Sequence, residues 1–210
     1  MADLKAIAEG LIRGDRNIVV ELTKQALAEE MSPKEILNEG LIAGMNVVGQ
    51  RFKNNEVYVP EVLIAARAMK GGMEILQPKL VAAGVKPIAT VVLGTVKGDL
   101  HDIGKNLVGM MLTGGGLKVV DLGTDVAPDK FVEACQGEGA HVCALSALLT
   151  TTMPQMADIV KAMKASGIET KVVIGGAPVT QSYADEIGAD GYAADAATAV
   201  DVVKSMVEAA

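Results

Sequence analysis

A chain of 210 residues that is 50% apolar can bury a real core, as one large domain or two small ones. Only 2% of it is aromatic, so that core must be aliphatic, with 11 methionines as adaptable filler. A net charge of −7 and the absence of tryptophan leave no basic patch for nucleic acid or an anionic membrane, and no platform for stacked bases.

The acid at position 3 does not suit a signal peptide. The longest run without Lys, Arg, Asp or Glu, residues 140–157, contains His141, three threonines and Pro154, and reads as a buried strand and loop rather than a membrane span. Two cysteines, Cys135 and Cys143, make no disulfide framework and no CxxC pair. Reduced, buried thiols in a cytoplasmic protein are expected.

The first 80 or so residues predict helices only. Asp3 to Arg13 is a short amphipathic segment, and Asp15 opens another whose apolar positions Ile18, Val19, Leu22, Ala26 and Leu27 follow three-four spacing. Ser32-Pro33-Lys34-Glu35 predicts a helix start with Ser as N-cap and Glu as capping-box partner. From there Ile36, Leu37, Leu41, Met45, Val48 and Phe52 form one stripe, broken at Lys53-Asn54-Asn55-Glu56. A fourth helix is expected from Val59-Pro60-Glu61, kinked or ended by Pro78. Four helices with short connections make a bundle.

Ala83 to Pro87 marks the expected domain boundary, giving a helical domain over 1–84 and a second domain over 88–210. In the second, apolar strands are predicted at Ile88–Leu93, Lys118–Asp121, His141–Ser146, Lys171–Ile174 and near Asp190–Tyr192. Helices alternate with them at Ile103–Leu112, Pro128–Glu138, Pro154–Ser166, Thr180–Ile187 and Ala196–Glu208. This alternation predicts a doubly wound, flavodoxin-like, five-stranded parallel sheet covered on both faces. Ligands of such sheets lie beyond the carboxyl ends of the strands, near the switch in strand order.

Neither GxGxxG nor GxxxxGK[ST] stands at a strand-to-helix turn, so dinucleotide and P-loop readings fail on spacing. Small residues do line several predicted strand ends: Gly94, Ser146-Ala147 and Gly175-Gly176. They predict a groove running into the domain. After the first strand comes Asp99-Leu100-His101-Asp102-Ile103-Gly104. In a chain of this composition an Asp-x-His-x-x-Gly pattern arises by chance about once in a hundred sequences. A metal-bound imidazole donates its other N–H to a carboxylate, and Asp99 is placed to receive it. No second His, Cys cluster or carboxylate group supplies the three or four ligands of a zinc site. One protein ligand suits a metal whose other positions are filled by a macrocycle.

With these residues the sequence resembles, over nearly its whole length, the corrinoid (vitamin B12) proteins of methyltransferase systems, which are similar to the cobalamin-binding module of cobalamin-dependent methionine synthase. Asp99 to Gly104 resembles the family's DxHxxG signature, Ser146-Ala147-Leu148 its SxL motif and Gly175-Gly176 its GG motif. The resemblance implies a cobalamin or related cobamide with His101 as lower axial ligand of cobalt and Asp99 as its partner. It implies further that Gly98, Leu100, Asp102, Ile103, Gly104, Ser146, Leu148, Gly175 and Gly176 contact the cofactor, with Gly94 and Gly98 giving room for its nucleotide tail. Thr150 is a further contact.

The family's proton relay ends on a serine, and Thr152 stands at the matching place, where it is also a plausible N-cap for the helix at Pro154 with Gln155 completing a capping box. The helical domain resembles the family's cap, with Phe52, Tyr58, Val59 and Val62 over the upper face of the corrin. Two of the five aromatics of the chain fall in that stretch.

The implied function is a methyl shuttle: a donor-specific methyltransferase methylates Co(I), and methyl-Co(III) passes the group to an acceptor methyltransferase using tetrahydrofolate or a thiol. A reductive activase is a further implied partner, and Ala83–Pro87 an implied hinge. Two other classes share the DxHxxG domain. An adenosylcobalamin mutase subunit would not usually bring such a helical cap, and a cobalamin-dependent sensor should add a DNA-binding module.

Overall fold

The computed structural model describes residues 3–208; positions 1–2 and 209–210, the outermost residues of the two expected domains, lie outside the described residues. The chain divides into two compact units, Met1–Pro87 with Gly114–Gly116, and Ile88–Thr113 with Leu117–Ala210.

Short acidic side chains start the first two helices by accepting free amides. Asp3 accepts from Lys5 N–H at 2.9 Å and opens α1 (Leu4–Ile12); Asp15 accepts from Asn17 and Ile18 at 3.1 Å and opens α2 (Arg16–Ala28). The third helix, α3 (33–53), begins at Pro33, but Ser32 makes no side-chain cap and the expected capping box with Glu35 does not form. Pro33 already sets the helical φ, and Ser32, Lys34 and Glu35 are exposed, so water can serve the free amides.

Within α3, Ile36–Ile42 is a π-helical stretch that the three-four spacing does not foretell. Ile36, Leu41, Met45 and Val48 are nonetheless buried as expected. Gly44 lets α1 come close: a Cβ there would stand 2.9 Å from the Ala8 carbonyl oxygen.

The fourth helix, α4 (Val59–Ala82), opens with Glu61 accepting from Tyr58 N–H at 3.0 Å. It does not end at Pro78. Leu76 and Leu80 are buried on either side of the proline, and their burial carries the helix through its missing hydrogen bond. Ala83, Gly84 and Val85 donate back to Lys79, Val81 and Leu80, while Ala89 accepts from Lys118. The segment joining the units is therefore narrower than the expected boundary, residues 86–88.

The second unit alternates throughout: β1 (Thr90–Thr95), α5 (Ile103–Gly114), β2 (Lys118–Asp121), α6 (Pro128–Glu138), β3 (Val142–Ser146), α7 (Pro154–Ser166), β4 (Lys171–Gly175), α8 (Gln181–Ile187), β5 (Gly191–Ala193) and α9 (Ala196–Glu208). The strands are all parallel in the order β2-β1-β3-β4-β5, the doubly wound, flavodoxin-like sheet the alternation predicts.

Strand ends differ by a residue or two. The first strand starts at Thr90 rather than at the exposed Ile88, and runs through Gly94 and Thr95 because these pair with Leu145 and Ser146. Similarly β4 extends to Gly175, opposite Ser146, and β5 starts at Gly191. The third strand starts at Val142; the ring of His141 turns back instead, its Nδ1 accepting from Thr90 N–H at 3.2 Å.

Two glycines have steric reasons the sequence did not separate. Gly94 does not open a groove: a Cβ there would lie 2.8 Å from the ring of Phe131, so its role is to seat that buried ring in the core. Gly176, at φ +136°, lies where a Cβ would come 1.8 Å from the Ala147 carbonyl oxygen. Here only glycine fits.

Gly104, by contrast, has nothing within 4 Å of its Cβ position and lies in the first turn of α5. Gly176→Ala should therefore lower unfolding stability by about 2 kcal/mol or more. Gly104→Ala should be neutral or gain about 0.5–1 kcal/mol. Urea denaturation of the two variants side by side checks the contrast, and equal effects would refute it.

Candidate functional site

The switch point of this sheet lies between β1 and β3, where the chain leaves in opposite directions after the two strands. Thr95 and Ser146 stand opposite each other at the strand ends, and Val96 N–H still donates to the Ser146 carbonyl at 3.0 Å. Beyond them run the 96–102 loop, which carries Asp99 and His101, and the 147–153 loop.

The carboxylate of Asp99 joins the two loops. Its Oδ1 accepts from the His101 backbone N–H and faces His101 Nδ1, both at 3.0 Å. Its Oδ2 accepts from Leu148 N–H at 2.8 Å, from Leu149 N–H at 3.3 Å and from the Thr152 hydroxyl at 2.8 Å. Burial by itself would raise the pKa of this group. The hydrogen bonds from Leu148, His101 N–H, Thr152 and the His101 ring outweigh it and hold the carboxyl below the usual carboxylate range.

An ionised carboxylate can only accept, so His101 Nδ1 is the donor to it, and in the neutral imidazole the lone pair then stands on Nε2. Asp99 is fully buried, whereas the His101 side chain is 53% exposed. The loop is fixed on its other side as well: Thr95 Oγ1 donates to the His101 carbonyl at 2.9 Å.

Of the two contacts expected of Thr152, the structure shows the one to Asp99. Its hydroxyl lies 2.8 Å from Asp99 Oδ2 and 2.9 Å from the Leu149 carbonyl. It does not cap α7, where Met153 precedes Pro154 and makes no side-chain cap. A hydroxyl has one proton, and the buried carboxylate is the stronger acceptor for it.

Around this core the expected contact residues fall into two groups. Gly98, Leu100, His101, Asp102, Ile103, Gly104, Leu148 and Thr150 are exposed, while Ser146, Gly175 and Gly176 are half-buried at the ends of adjacent strands. Leu100 and Ile103 are 72% and 79% exposed, and Leu148 and Leu149 also show apolar surface. Apolar side chains so exposed about one imidazole need a cover. Asp102 accepts from Asn106 Nδ2 at 3.1 Å.

In the helical unit Tyr58 is 64% exposed and does not fill the bundle core, Phe52 and Val59 are half-buried, and Val62 is buried. Among the described residues no cluster of three or more His, Cys, Asp or Glu could hold a metal ion. The donor set thus fits a metal that brings its own equatorial ligands and takes one imidazole.

Several residues of the site escaped sequence reasoning. Asp125, in the loop after β2, accepts from Gly98 N–H at 2.7 Å. Lys105, buried in α5, pairs with Asp121 at the end of β2 and with Asn106. Tyr183 donates from α8 to the Met153 carbonyl at 2.7 Å. Each is a polar residue with a partner remote in sequence.

Residues 89–201 match the family described as B12 binding domain, and residues 3–77 match a second family of that description. A corrinoid protein of Desulfitobacterium hafniense (strain Y51) is 41% identical over 99% of this chain and 98% of its own length. A trimethylamine corrinoid protein of Methanosarcina acetivorans is 42% identical over 92% of this chain and 91% of its own. Among solved structures, a chain of the methanol:cobalamin methyltransferase complex from Methanosarcina barkeri superposes with a TM-score of 0.89 at 30% identity, covering 99% of this chain and 80% of that one. No helix among the described residues is long and apolar enough to cross a membrane. The chain belongs to the B12-binding corrinoid proteins of methyltransferase systems, and its cofactor is a cobalt corrinoid.

Proposed function

We propose that this chain is the methyl-carrying corrinoid subunit of a cytoplasmic methyltransferase system, with His101 Nε2 as the lower axial ligand of the corrinoid cobalt. One observation supports the ligand assignment above all: Nδ1 is committed to Asp99 at 3.0 Å, which leaves Nε2 as the free donor of an exposed ring at the switch point. When bound, the corrinoid supplies the cobalt that takes up and gives up the methyl group.

The chain's own residues hold and tune that ligand. Through Nδ1–H, ionised Asp99 makes Nε2 a stronger donor and fixes the plane of the ring. The Thr152 hydroxyl on the opposite oxygen helps to keep Asp99 ionised.

We assign Gly98, Leu100, Asp102, Ile103, Gly104, Ser146, Leu148, Thr150, Gly175 and Gly176 to the cofactor and its nucleotide tail. Support comes from small residues at adjacent strand ends and from the open space at Gly104. The shielding role of Phe52, Tyr58, Val59 and Val62 rests on the resemblance. The partners are a donor-specific methyltransferase, an acceptor methyltransferase and a reductive activase. The names of the relatives, which carry trimethylamine and dimethylamine, and the methanol complex point to a small methylated amine or alcohol as donor.

Reconstitution with cobalamin should give a coloured protein. In its Co(II) state the paramagnetic resonance spectrum should show coupling to one axial nitrogen, altered by ¹⁵N-histidine labelling. His101→Ala should abolish that coupling; its persistence would remove His101 as ligand.

A second expectation concerns acid. Because folding lowers the pKa of Asp99, its contribution is complete above the ordinary carboxylate pKa of about 4 and is lost as pH falls through the lower folded value. Asp99→Asn should therefore cost about 2–3 kcal/mol at pH 7, with the gap to the unsubstituted protein closing as pH falls below about 4. Denaturant unfolding of both proteins across pH 2–7, a range set by roughly those carboxylate values, measures it, and a gap independent of pH would refute it.

A further inference from the structure

Of the described residues outside glycine, three have positive φ: Glu30, Asn55 and Asp125. Glu30 and Asn55 each follow directly on a helix, the position where a left-handed residue closes the last turn. Asp125 closes no helix. It lies in the loop between β2 and α6, at φ +56°, and the strain of that conformation needs an explanation.

The surrounding hydrogen bonds supply one. The 122–127 loop is zipped along the end of β1: Leu122 N–H donates to Leu93, Thr95 N–H to Gly123 and Val126 N–H to Thr95, at 2.8 to 3.0 Å. Val96 and Val126 then form a parallel bridge. Asp125 adds two bonds that reach past the strand. Its backbone N–H donates to the Asp99 carbonyl at 3.0 Å, and its Oδ1 accepts from Gly98 N–H at 2.7 Å. One residue thus holds both main-chain neighbours of the histidine loop's turn, on the side away from the 147–153 loop. Gly98 is itself at φ +80°, which turns its amide away from an ordinary extended course.

We infer that Asp125 is a positioning residue for His101: it clamps Gly98 and Asp99 from the β2 side, as Leu148 and Thr152 hold Asp99 from the β3 side, so that Nε2 is presented in one place. The inference rests on His101 being the axial ligand. With the side-chain clamp gone, the Gly98 amide opens more often and the ring samples more positions, so a smaller fraction of His101 is coordinated.

Asp125→Gly is the informative variant, since glycine relieves the positive φ and keeps the backbone bond to Asp99 while deleting the acceptor. Two readouts are needed. In the apoprotein, ¹⁵N-resolved exchange of the Gly98 amide should quicken at least about tenfold. In the cobalamin-loaded Co(II) protein, the fraction showing histidine-nitrogen coupling should fall at least about twofold while the melting temperature is unchanged or higher. Asp125→Asn, whose Oδ1 can still accept from Gly98, should restore both.

Unchanged Gly98 exchange and an unchanged coordinated fraction would overturn the inference. So would a large drop in melting temperature with the coordinated fraction intact, which marks a purely structural residue. Absence of histidine coupling in the unsubstituted protein would overturn the ligand assignment and the positioning role with it, whatever Gly98 exchange shows.

Discussion

A carboxylate with no exposed surface is a costly thing to fold, and Asp99 is tolerated because five donors converge on its two oxygens. Those donors come from two loops that are distant in sequence. They meet because β1 and β3 are neighbours at the one place where the strand order reverses, with Thr95 and Ser146 in register at the edge. Four residues past Thr95 and two past Ser146, Asp99 and the Leu148 amide come within 2.8 Å. The charge and the topology therefore depend on each other: without the sheet order the donors disperse, and without the donors the loops have nothing to share.

Much of this arrangement is made by backbone rather than by side chains. The end of β4 approaches the loop after β3 so closely that Gly176 has no room for a methyl group against Ala147. Amides of Leu148, Leu149 and Gly98 do the binding, to Asp99 and Asp125. Side chains at the strand ends are correspondingly small, which keeps Ser146, Gly175 and Gly176 only half-buried on adjacent strands. An aliphatic core serves this plan, since β1 is buried along its whole length and Phe131 is accommodated by Gly94 on that strand.

Periodicity made the architecture legible in the sequence. Two- and 3.6-residue patterns, with Asp caps and prolines in first turns, located the helices and strands to within a few residues, because burial enforces those patterns locally. His101 and Asp99 were legible as a pair because two residues on a turn bring their side chains together. What escaped was of another kind. Thr152 looked equally good as an N-cap, since a hydroxyl before Pro154 carries no sign that a carboxylate 53 positions away will claim it. Pro78 looked like a helix end because local propensity does not include the burial of Leu76 and Leu80. Gly94 looked like room for a ligand when it was room for Phe131, and Asp125 gave no signal at all, its partner Gly98 lying across the sheet edge. Tertiary contacts decide such residues, and propensity does not.

The contrast in exposure between the two members of the pair has a chemical consequence. Here the anchor is buried and the imidazole is half in solvent, held at one nitrogen only. Loss of that one bond would leave the other donors to the carboxylate in place. The buried charge would not be stranded, because it would keep four of its five hydrogen bonds. This division of labour, a fixed carboxylate and an imidazole open on its Nε2 side, suits the proposed ligand.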